Sequence, residues 1–175
     1  TGLGNLKFIS RSTASSSASV NITSGLTSTY KEYIFIFNNI HPATDGAKFQ
    51  FNLSVDSGSN YNVTKTTSFF HAFHTEDGSS NVFDYRGAAD LAQSTSDQVI
   101  FWEVDNDADS GASGYLHLFD LSSTTFVKHF IGQTSGVGNS TTAGNQYVGG
   151  YGNTTSAVDA IQFKMSSGNI DSGTI

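Results

Sequence analysis

The sequence contains no cysteine and only one proline, one methionine and one tryptophan among its 175 residues. Without cysteine, neither a disulfide framework nor a thiolate metal site can form, which is compatible with synthesis in a reducing cytoplasm. No apolar run approaches the roughly 20 residues of a membrane-spanning helix. No segment has the charged and then apolar pattern of a secretory leader. We therefore expect neither insertion into a membrane nor secretion through one.

Charged residues are also scarce, at 13% of the chain, and the formal net charge is −7. The eight basic residues are scattered along the sequence. Nucleic acids and anionic membranes bind surfaces on which Lys and Arg are clustered. The composition therefore argues against both as partners.

Aromatic and hydroxyl side chains are abundant. The chain has 14 Phe, 7 Tyr, 26 Ser and 19 Thr residues, and no window sustains a helical periodicity of 3.6 residues. Bulky interior residues combined with short hydroxyl residues favour twisted sheets over helices. Eight to ten short strands are expected, so the predicted fold is all-β: an antiparallel β-sandwich, with a jelly roll as its expected form.

Three segments carry the clearest strand signals. Residues 114–131 read GYLHLFDLSSTTFVKHFI, two alternating apolar runs around a Ser/Thr turn, which predicts a β-hairpin. In residues 30–40, Tyr33, Phe35 and Phe37 face one way while Ile34 and Ile36 face the other, so both faces of this strand need a cover. In residues 47–55, Phe49, Phe51, Leu53 and Val55 alternate with polar residues, which predicts one buried face and one solvated face.

The remaining segments give weaker signals. We expect a short first strand at residues 6–10, a break at Pro42, a helical turn at 88–92, a loop at 132–145, and a final clear strand at 157–165. Gly149 and Gly150 suggest a bulge or a close approach of two backbones. The whole chain is interpreted as one sandwich domain over residues 1–175, with residues 1–20 as a flexible or interface segment. The last residues are typical of a strand, so a continuation past Ile175 is expected.

One acidic turn has the beginning of a calcium-binding pattern. Asp105, Asp107 and Asp109 occur at alternate positions before Gly111, as in the first half of a calcium loop. The glycine falls one place late, and the twelfth position is Leu116 instead of Glu. A solvated acidic turn is the simpler interpretation, and calcium is kept as a hypothesis. No other cofactor is expected.

The tyrosines Tyr61, Tyr85 and Tyr151 are candidates for stacking on sugars or for an interface between proteins. His71 and His74 would point to opposite faces of a strand and so could not hold one metal ion together. No local motif of a catalytic triad or of a glycosidase carboxylate pair is present, so we expect a protein that is not an enzyme.

Several segments resemble a family of structural and tail-fibre-like proteins of tailed marine bacteriophages, those of cyanobacteria and other ocean bacteria. Besides the hairpin, the segments are IHPA at 40–43, NYNVT at 60–64, FHAFH at 70–74, DLAQ at 90–93, NTTSA at 153–157 and KMSSGNI at 164–170. The chain departs from the family at Asp120 and Leu121, where Asn-Pro is usual. It also stops before the family's usual Leu-Tyr-Gly-Ile end.

The resemblance implies a virion component without catalytic residues, made in the cytoplasm of the bacterial host. We expect a tail-fibre or appendage domain that forms a homo-oligomer, with a trimer suggested by the family, contacts other virion proteins and takes part in attachment to the host surface. A carbohydrate-binding module that recognises host surface glycans and a capsid decoration protein of the head are the alternatives.

Overall fold

The computed structural model describes residues 6–175, in which every regular element is a β-strand. The strands are β1 (Thr13–Ser17), β2 (Val20–Ile22), β3 (Glu32–Pro42), β4 (Ala47–Ser54), β5 (Lys65–Thr75), β6 (Asn81–Tyr85), β7 (Gln98–Val104), β8 (Ala112–Phe119), β9 (Lys128–Gly138), β10 (Thr142–Gly152), β11 (Ala160–Met165) and β12 (Ile170–Thr174). The described part of the chain has no helix that is long and apolar enough to cross a membrane.

The strands form two antiparallel layers. In the large sheet the order is β1-β12-β3-β8-β9-β10-β5-β6, and in the small sheet it is β2-β11-β4-β7. A single pair, Val104 with Gly138, joins β7 to β9, so the two layers are nearly closed into a barrel. This arrangement confirms the all-β antiparallel sandwich, but it does not identify the sandwich as a jelly roll.

Aromatic rings fill the space between the layers. Phe37 of the large sheet lies 5.1 Å from Phe49 and 5.3 Å from Phe163 of the small sheet, measured between ring centroids. Phe51 of the small sheet meets Phe130 of the large sheet edge-to-face at 5.1 Å. Such pairs add about 0.5–1.5 kcal/mol each to the free energy gained from burying their area. The alternating aromatics of β3, β4 and β11 therefore fix the way the two layers face each other.

The predicted hairpin is confirmed as β8 and β9, which pair from Ala112 with Gly136 to Leu118 with Phe130. The strand at 157–165 is confirmed as β11, with Ile161, Phe163 and Met165 all buried. Phe49, Phe51 and Leu53 are buried on β4 as expected, whereas Val55 lies beyond the end of this strand and is exposed. The expected solvated face of β4 is also wrong in part, because Asn52 and Ser54 are buried.

Four local predictions are wrong in whole or in part. Residues 132–145 are not a loop but the end of β9 and the start of β10, joined by a tight turn. Residues 88–92 form turns without a helix, and β6 precedes them. The break at Pro42 is found on one side of β3 alone: pairing with β8 ends at Ile40, but Pro42 still lies opposite Ile170 of β12. Residues 6–10 are not a strand, whereas β1 occupies part of the segment expected to be flexible; residues 1–5 of that segment lie outside the described structure.

Candidate functional site on the outer face of the large sheet

Six strands of the large sheet, β3, β8, β9, β10, β5 and β6, turn one set of side chains away from the core. We call this surface the outer face. The backbone register brings six of its side chains into one line across the strands, which we call the aromatic row: Ile36, Tyr115, Gln133, Tyr147, Phe70 and Tyr85. Cross-strand neighbours on one face are close enough for their side chains to pack. The row is therefore continuous from the first to the last of these strands.

Stacked rings hold one half of the aromatic row. The rings of Phe70 and Tyr147 lie 4.8 Å apart and within 8° of parallel. Phe83 meets Phe70 at 6.0 Å and at a steep angle. Phe83 is 75% exposed and Tyr85 57% exposed, so these rings present their apolar area to solvent.

Amide side chains fix Tyr147 within this surface. Gln133 Nε2 donates to the Tyr147 hydroxyl at 3.0 Å and approaches Asn145 Oδ1 at 3.3 Å. Asn145 Nδ2 also donates to the Tyr147 hydroxyl at 3.3 Å. Ordered amides beside an exposed stacked ring offer hydrogen bonds next to an apolar platform.

Aliphatic side chains extend the outer face next to the row. Ile34 lies opposite His117, which lies opposite Ile131. Ile34 and Ile131 are exposed. The second face of β3, which the sequence predicts to need a cover, thus lies open in the described chain and joins the same apolar surface.

The outer face is nearly free of charge. Two carboxylates border it: that of Glu32, whose Oε2 lies 3.2 Å from His117 Nε2, and that of Asp90, which accepts the hydrogen bond of the Tyr85 hydroxyl. The ring of His117 packs against Phe119 with 4.1 Å between centroids. On a chain with a net charge of −7, such a surface can approach a like-charged molecule without strong repulsion.

The three candidate tyrosines do not form one group. Tyr85 and Tyr151 both lie on the outer face, but on strands β6 and β10 and at different levels of the sheet. Tyr85 donates a hydrogen bond to Asp90, and this bond raises the pKa of the Tyr85 hydroxyl. Tyr61 lies in the segment between β4 and β5; burial, followed by the negative charges of Asp159 and Asp56, raises its pKa.

The acidic turn keeps its aspartates apart. Asp105 is buried and accepts a hydrogen bond from the Ser110 hydroxyl at 2.8 Å, whereas Asp107 and Asp109 are exposed. Within residues 6–175, no group of three or more His, Cys, Asp or Glu side chains is placed to hold a metal ion. Calcium at Asp105, Asp107 and Asp109 stays a hypothesis, which calorimetric titration with calcium would test.

The prediction that His71 and His74 point to opposite faces of a strand is confirmed, whereas a cross-strand pair of His117 and His129, which their spacing about the hairpin turn would allow, is not formed. His71 points inward and is buried beside Asp84, while His74 is exposed on the other side of β5. His117 and His129 share the outer face but are not opposed to each other, since His117 pairs with Ile131 and His129 with Tyr151.

The sequence did not single out the centre of the outer face, formed by Phe70, Phe83, Tyr115 and Tyr147. One signal was available for part of it, because adjacent aromatics such as Phe69 and Phe70 must point to opposite sides of a strand. The apolar second face predicted for residues 30–40 was a further signal, because Ile34 and Ile36 lie on the outer face.

Comparison of the chain with protein-family models, with curated proteins and with solved structures finds no match in any of the three.

Proposed function

We propose that the chain is a non-enzymatic structural domain of a phage particle, in a tail fibre or appendage, and that its outer face binds further copies of the same chain. The observation that carries this proposal is the aromatic row: a continuous line of six side chains on a hydrogen-bonded sheet, of which all but Gln133 are aromatic or aliphatic. The resemblance of the sequence to tail-fibre-like phage proteins supports the place of the domain in a virion.

The size of the outer face suits a subunit contact. Six strands spaced roughly 4.8 Å apart, with about six residues each at roughly 3.4 Å per residue, cover about 30 Å by 20 Å, or about 600 Å² in projection. The relief of the side chains increases the accessible area above this value. Standard interfaces bury about 800 Å² on each partner, so one outer face is close to the required size.

The chemistry of the outer face favours a second copy over a charged partner. Exposed apolar patches of several hundred Å² are uncommon on monomeric proteins and mark contact sites. Aromatic residues are enriched and charges depleted at the centres of interfaces. A closed ring of copies leaves no such face exposed, and the family resemblance suggests three copies.

Light scattering of the purified chain tests the oligomer. We expect a mass of a defined oligomer, a trimer by family resemblance, and dissociation towards the monomer when Phe83 and Tyr85 are both changed to Ser. The matched control is Phe126→Ser, which removes a comparably exposed ring from the β8–β9 turn and should leave the mass unchanged. A monomeric unmodified chain at high concentration would contradict the proposal.

Antibody labelling of intact particles would locate the domain on the fibre or on the head.

The amide cluster favours a second candidate function, binding of host surface glycans. A sugar ring could stack on Phe70 or Tyr85 while Gln133 and Asn145 supply hydrogen bonds to its hydroxyl groups. A glycan array tests this function with Tyr85→Ala as the loss-of-binding variant and Phe126→Ala as control. An array without hits for the unmodified chain would reject it.

A further inference from the structure

Lys65, the first residue of β5, carries its amine into the interior of the protein. Its side chain is fully buried, and Nζ lies 2.5 Å from the side-chain oxygen of Asn52, which is itself only 2% exposed. Lys65 belongs to the large sheet, whereas Asn52 lies on β4 of the small sheet. A buried amine thus meets a buried carboxamide where the two layers come together.

The carboxamide of Asn52 is held at both of its polar atoms. Its Oδ1 accepts a second hydrogen bond, of 2.9 Å, from the backbone N–H of Leu53. Its Nδ2 donates to the Thr95 carbonyl oxygen and to Asp97 Oδ1, both at 3.0 Å. The other carboxylate oxygen of Asp97 lies 2.7 Å from Lys164 Nζ, which fixes this side chain in turn. The carboxamide therefore has a hydrogen-bond donor at its oxygen and a carboxylate at its nitrogen.

The amine of Lys65 is close enough to attack the carboxamide carbon. Since a C=O bond is about 1.23 Å long, Lys65 Nζ lies within about 3.7 Å of Asn52 Cγ. Reacting atoms in near-attack arrangements are about 3–3.5 Å apart.

The same burial makes this lysine a nucleophile near neutral pH. It lowers the pKa of Lys65 from 10.5 to about 8. About one amine in ten is then neutral at pH 7, against fewer than about one in a thousand at the ordinary pKa. Only the neutral amine has the electron pair that an attack on carbon needs.

We propose that Lys65 and Asn52 react with each other in the folded chain and form an isopeptide bond, which links β5 covalently to β4. The neutral amine adds to Asn52 Cγ, so that a bond forms between Nζ and Cγ. The bond between Cγ and Nδ2 then breaks, and Nδ2 leaves as ammonia. One amide replaces another, so the reaction consumes no oxidant, reductant or cofactor. It happens once in each chain and is not a turnover activity.

Leu53 and Asp97 lie where this reaction needs them. Negative charge develops on Asn52 Oδ1 as the amine adds, and the Leu53 N–H already donates to this oxygen. In the tetrahedral intermediate both nitrogens are bonded to Cγ, so a carboxylate in contact with Nδ2 is also close to Nζ. Asp97 accepts the proton that Nζ loses and passes it to Nδ2, which makes ammonia the leaving group.

The bond gives the chain a covalent tie between its layers, which no disulfide can provide because the sequence has no cysteine. Such a tie restricts the unfolded chain as a disulfide does. Once the bond has closed, no amine remains at position 65, so pH-dependent stability that arises from this amine belongs to the chain before the reaction. The inference is independent of the proposed function, since neither Lys65 nor Asn52 lies on the outer face.

Mass spectrometry of the whole chain tests the inference. After incubation at pH 8, where about half of the Lys65 amines are neutral, we expect a mass about 17 Da below that of the sequence, because one ammonia is lost. Trypsin cuts after Lys65 only while its amine is free. The linked chain should therefore give one peptide of residues 49–86, and the unlinked chain two peptides, which end at Lys65 and at Arg86.

Three variants separate this bond from other losses of ammonia. Lys65→Met and Asn52→Ala each remove a reacting group and should keep the full mass of their sequences. Asp97→Asn keeps the shape of the side chain but cannot take up the proton, so the linked fraction at equal times should fall at least about tenfold. The matched control Lys31→Met removes an exposed lysine and should still lose one ammonia.

Full mass together with complete cleavage after Lys65 in the chain without substitutions would overturn the inference. A loss of ammonia that persists in Asn52→Ala would overturn it as well. An equal linked fraction in Asp97→Asn would show that Asp97 does not transfer the proton. Light scattering of the same samples reports separately on the outer-face contact, so the failure of one proposal is distinguished from the failure of the other.

Discussion

Lys128 Nζ donates a hydrogen bond of 2.6 Å to the carbonyl oxygen of Ser123, five residues earlier in the turn between β8 and β9. The same ammonium group donates to the carbonyl oxygens of Phe126 at 2.8 Å and of Thr154 at 3.3 Å. The Lys128 side chain is fully buried, and burial lowers its pKa. One lysine thus ties the β8–β9 turn to the segment that follows β10.

Replacing Lys128 by Met should destabilise the fold by about 2–4 kcal/mol, because buried carbonyl groups left without a donor cost about 1–3 kcal/mol each and these carbonyls are only partly buried. The matched control is Lys31→Met, which breaks an exposed ion pair with Asp120 and should cost under about 1 kcal/mol. Denaturant unfolding measures both. Equal costs for the two variants would show that the carbonyl contacts of Lys128 contribute nothing specific.

While its amine is free, a second buried lysine should make stability depend on pH. Lys65 is fully buried and donates to Asn52 Oδ1 at 2.5 Å and to the Val63 carbonyl at 2.8 Å. Burial lowers its pKa from 10.5 to about 8, against the opposing effect of Asp97. Between these two pH values the unfolded chain binds the proton and the folded chain does not, so stability rises with pH across this window. The full change is about 3 kcal/mol.

The comparison chain for this effect is Lys65→Met, because tyrosine ionisation above pH 10 affects both chains alike. The free energy of unfolding at pH 7.5, 9 and 10 should rise with pH in the unmodified chain relative to the variant. If the difference between the two chains stays constant with pH, Lys65 keeps its ordinary pKa in the folded state.

Regular alternation made the strands of the core predictable. Phe49, Phe51 and Leu53 alternate with polar residues, and so do Ile161, Phe163 and Met165, and both sets face the other layer. Residues 132–145 gave the opposite signal because their strands are rich in small residues. At Gly136, an added Cβ would lie 2.5 Å from the Gly111 carbonyl oxygen, so the close approach of neighbouring strands requires glycine where a strand pattern would show a larger residue.

The outer face could not be predicted in the same way. Tyr115, Tyr147, Phe70 and Tyr85 come from four strands, and their order across the sheet differs from their order in the chain. Alternation tells which side of a strand a residue takes, but it does not tell which strands become neighbours. Residues 6–10 illustrate the same limit, because their strand-like pattern pairs with none of the described strands.

Two neighbouring glycines on β10 should respond differently to the same substitution. At Gly150, an added Cβ would lie 2.5 Å from the Thr66 carbonyl oxygen and 2.9 Å from the Thr67 Cα. At Gly149, the nearest atoms would be 3.9 Å away. Gly150→Ala should therefore cost about 1–3 kcal/mol, as overpacking against backbone does, and Gly149→Ala should change stability by less than about 0.5 kcal/mol. Thermal unfolding of the two variants measures the difference, and similar melting temperatures would contradict the close approach at Gly150.

The ring of Trp102, the single tryptophan of the chain, lies in contact with two cationic side chains. Lys48 Nζ lies 3.6 Å and Arg86 Cζ 4.3 Å from the centre of its ring. The four side-chain ion pairs between described residues include neither Lys48 nor Arg86. Cation–π contacts contribute about 0.5–2 kcal/mol.

Arg86→Gln should therefore lower the free energy of unfolding by about 1 kcal/mol and change the fluorescence of Trp102 in the folded state, because a charged group leaves the face of the indole. Arg11→Gln is the control, since Arg11 lies in the segment 6–11 and outside the contacts of the tryptophan ring. Fluorescence-detected unfolding gives both values from one experiment. Unchanged emission in Arg86→Gln, with an unfolding free energy equal to that of Arg11→Gln, would show that Arg86 does not stabilise the fold through Trp102.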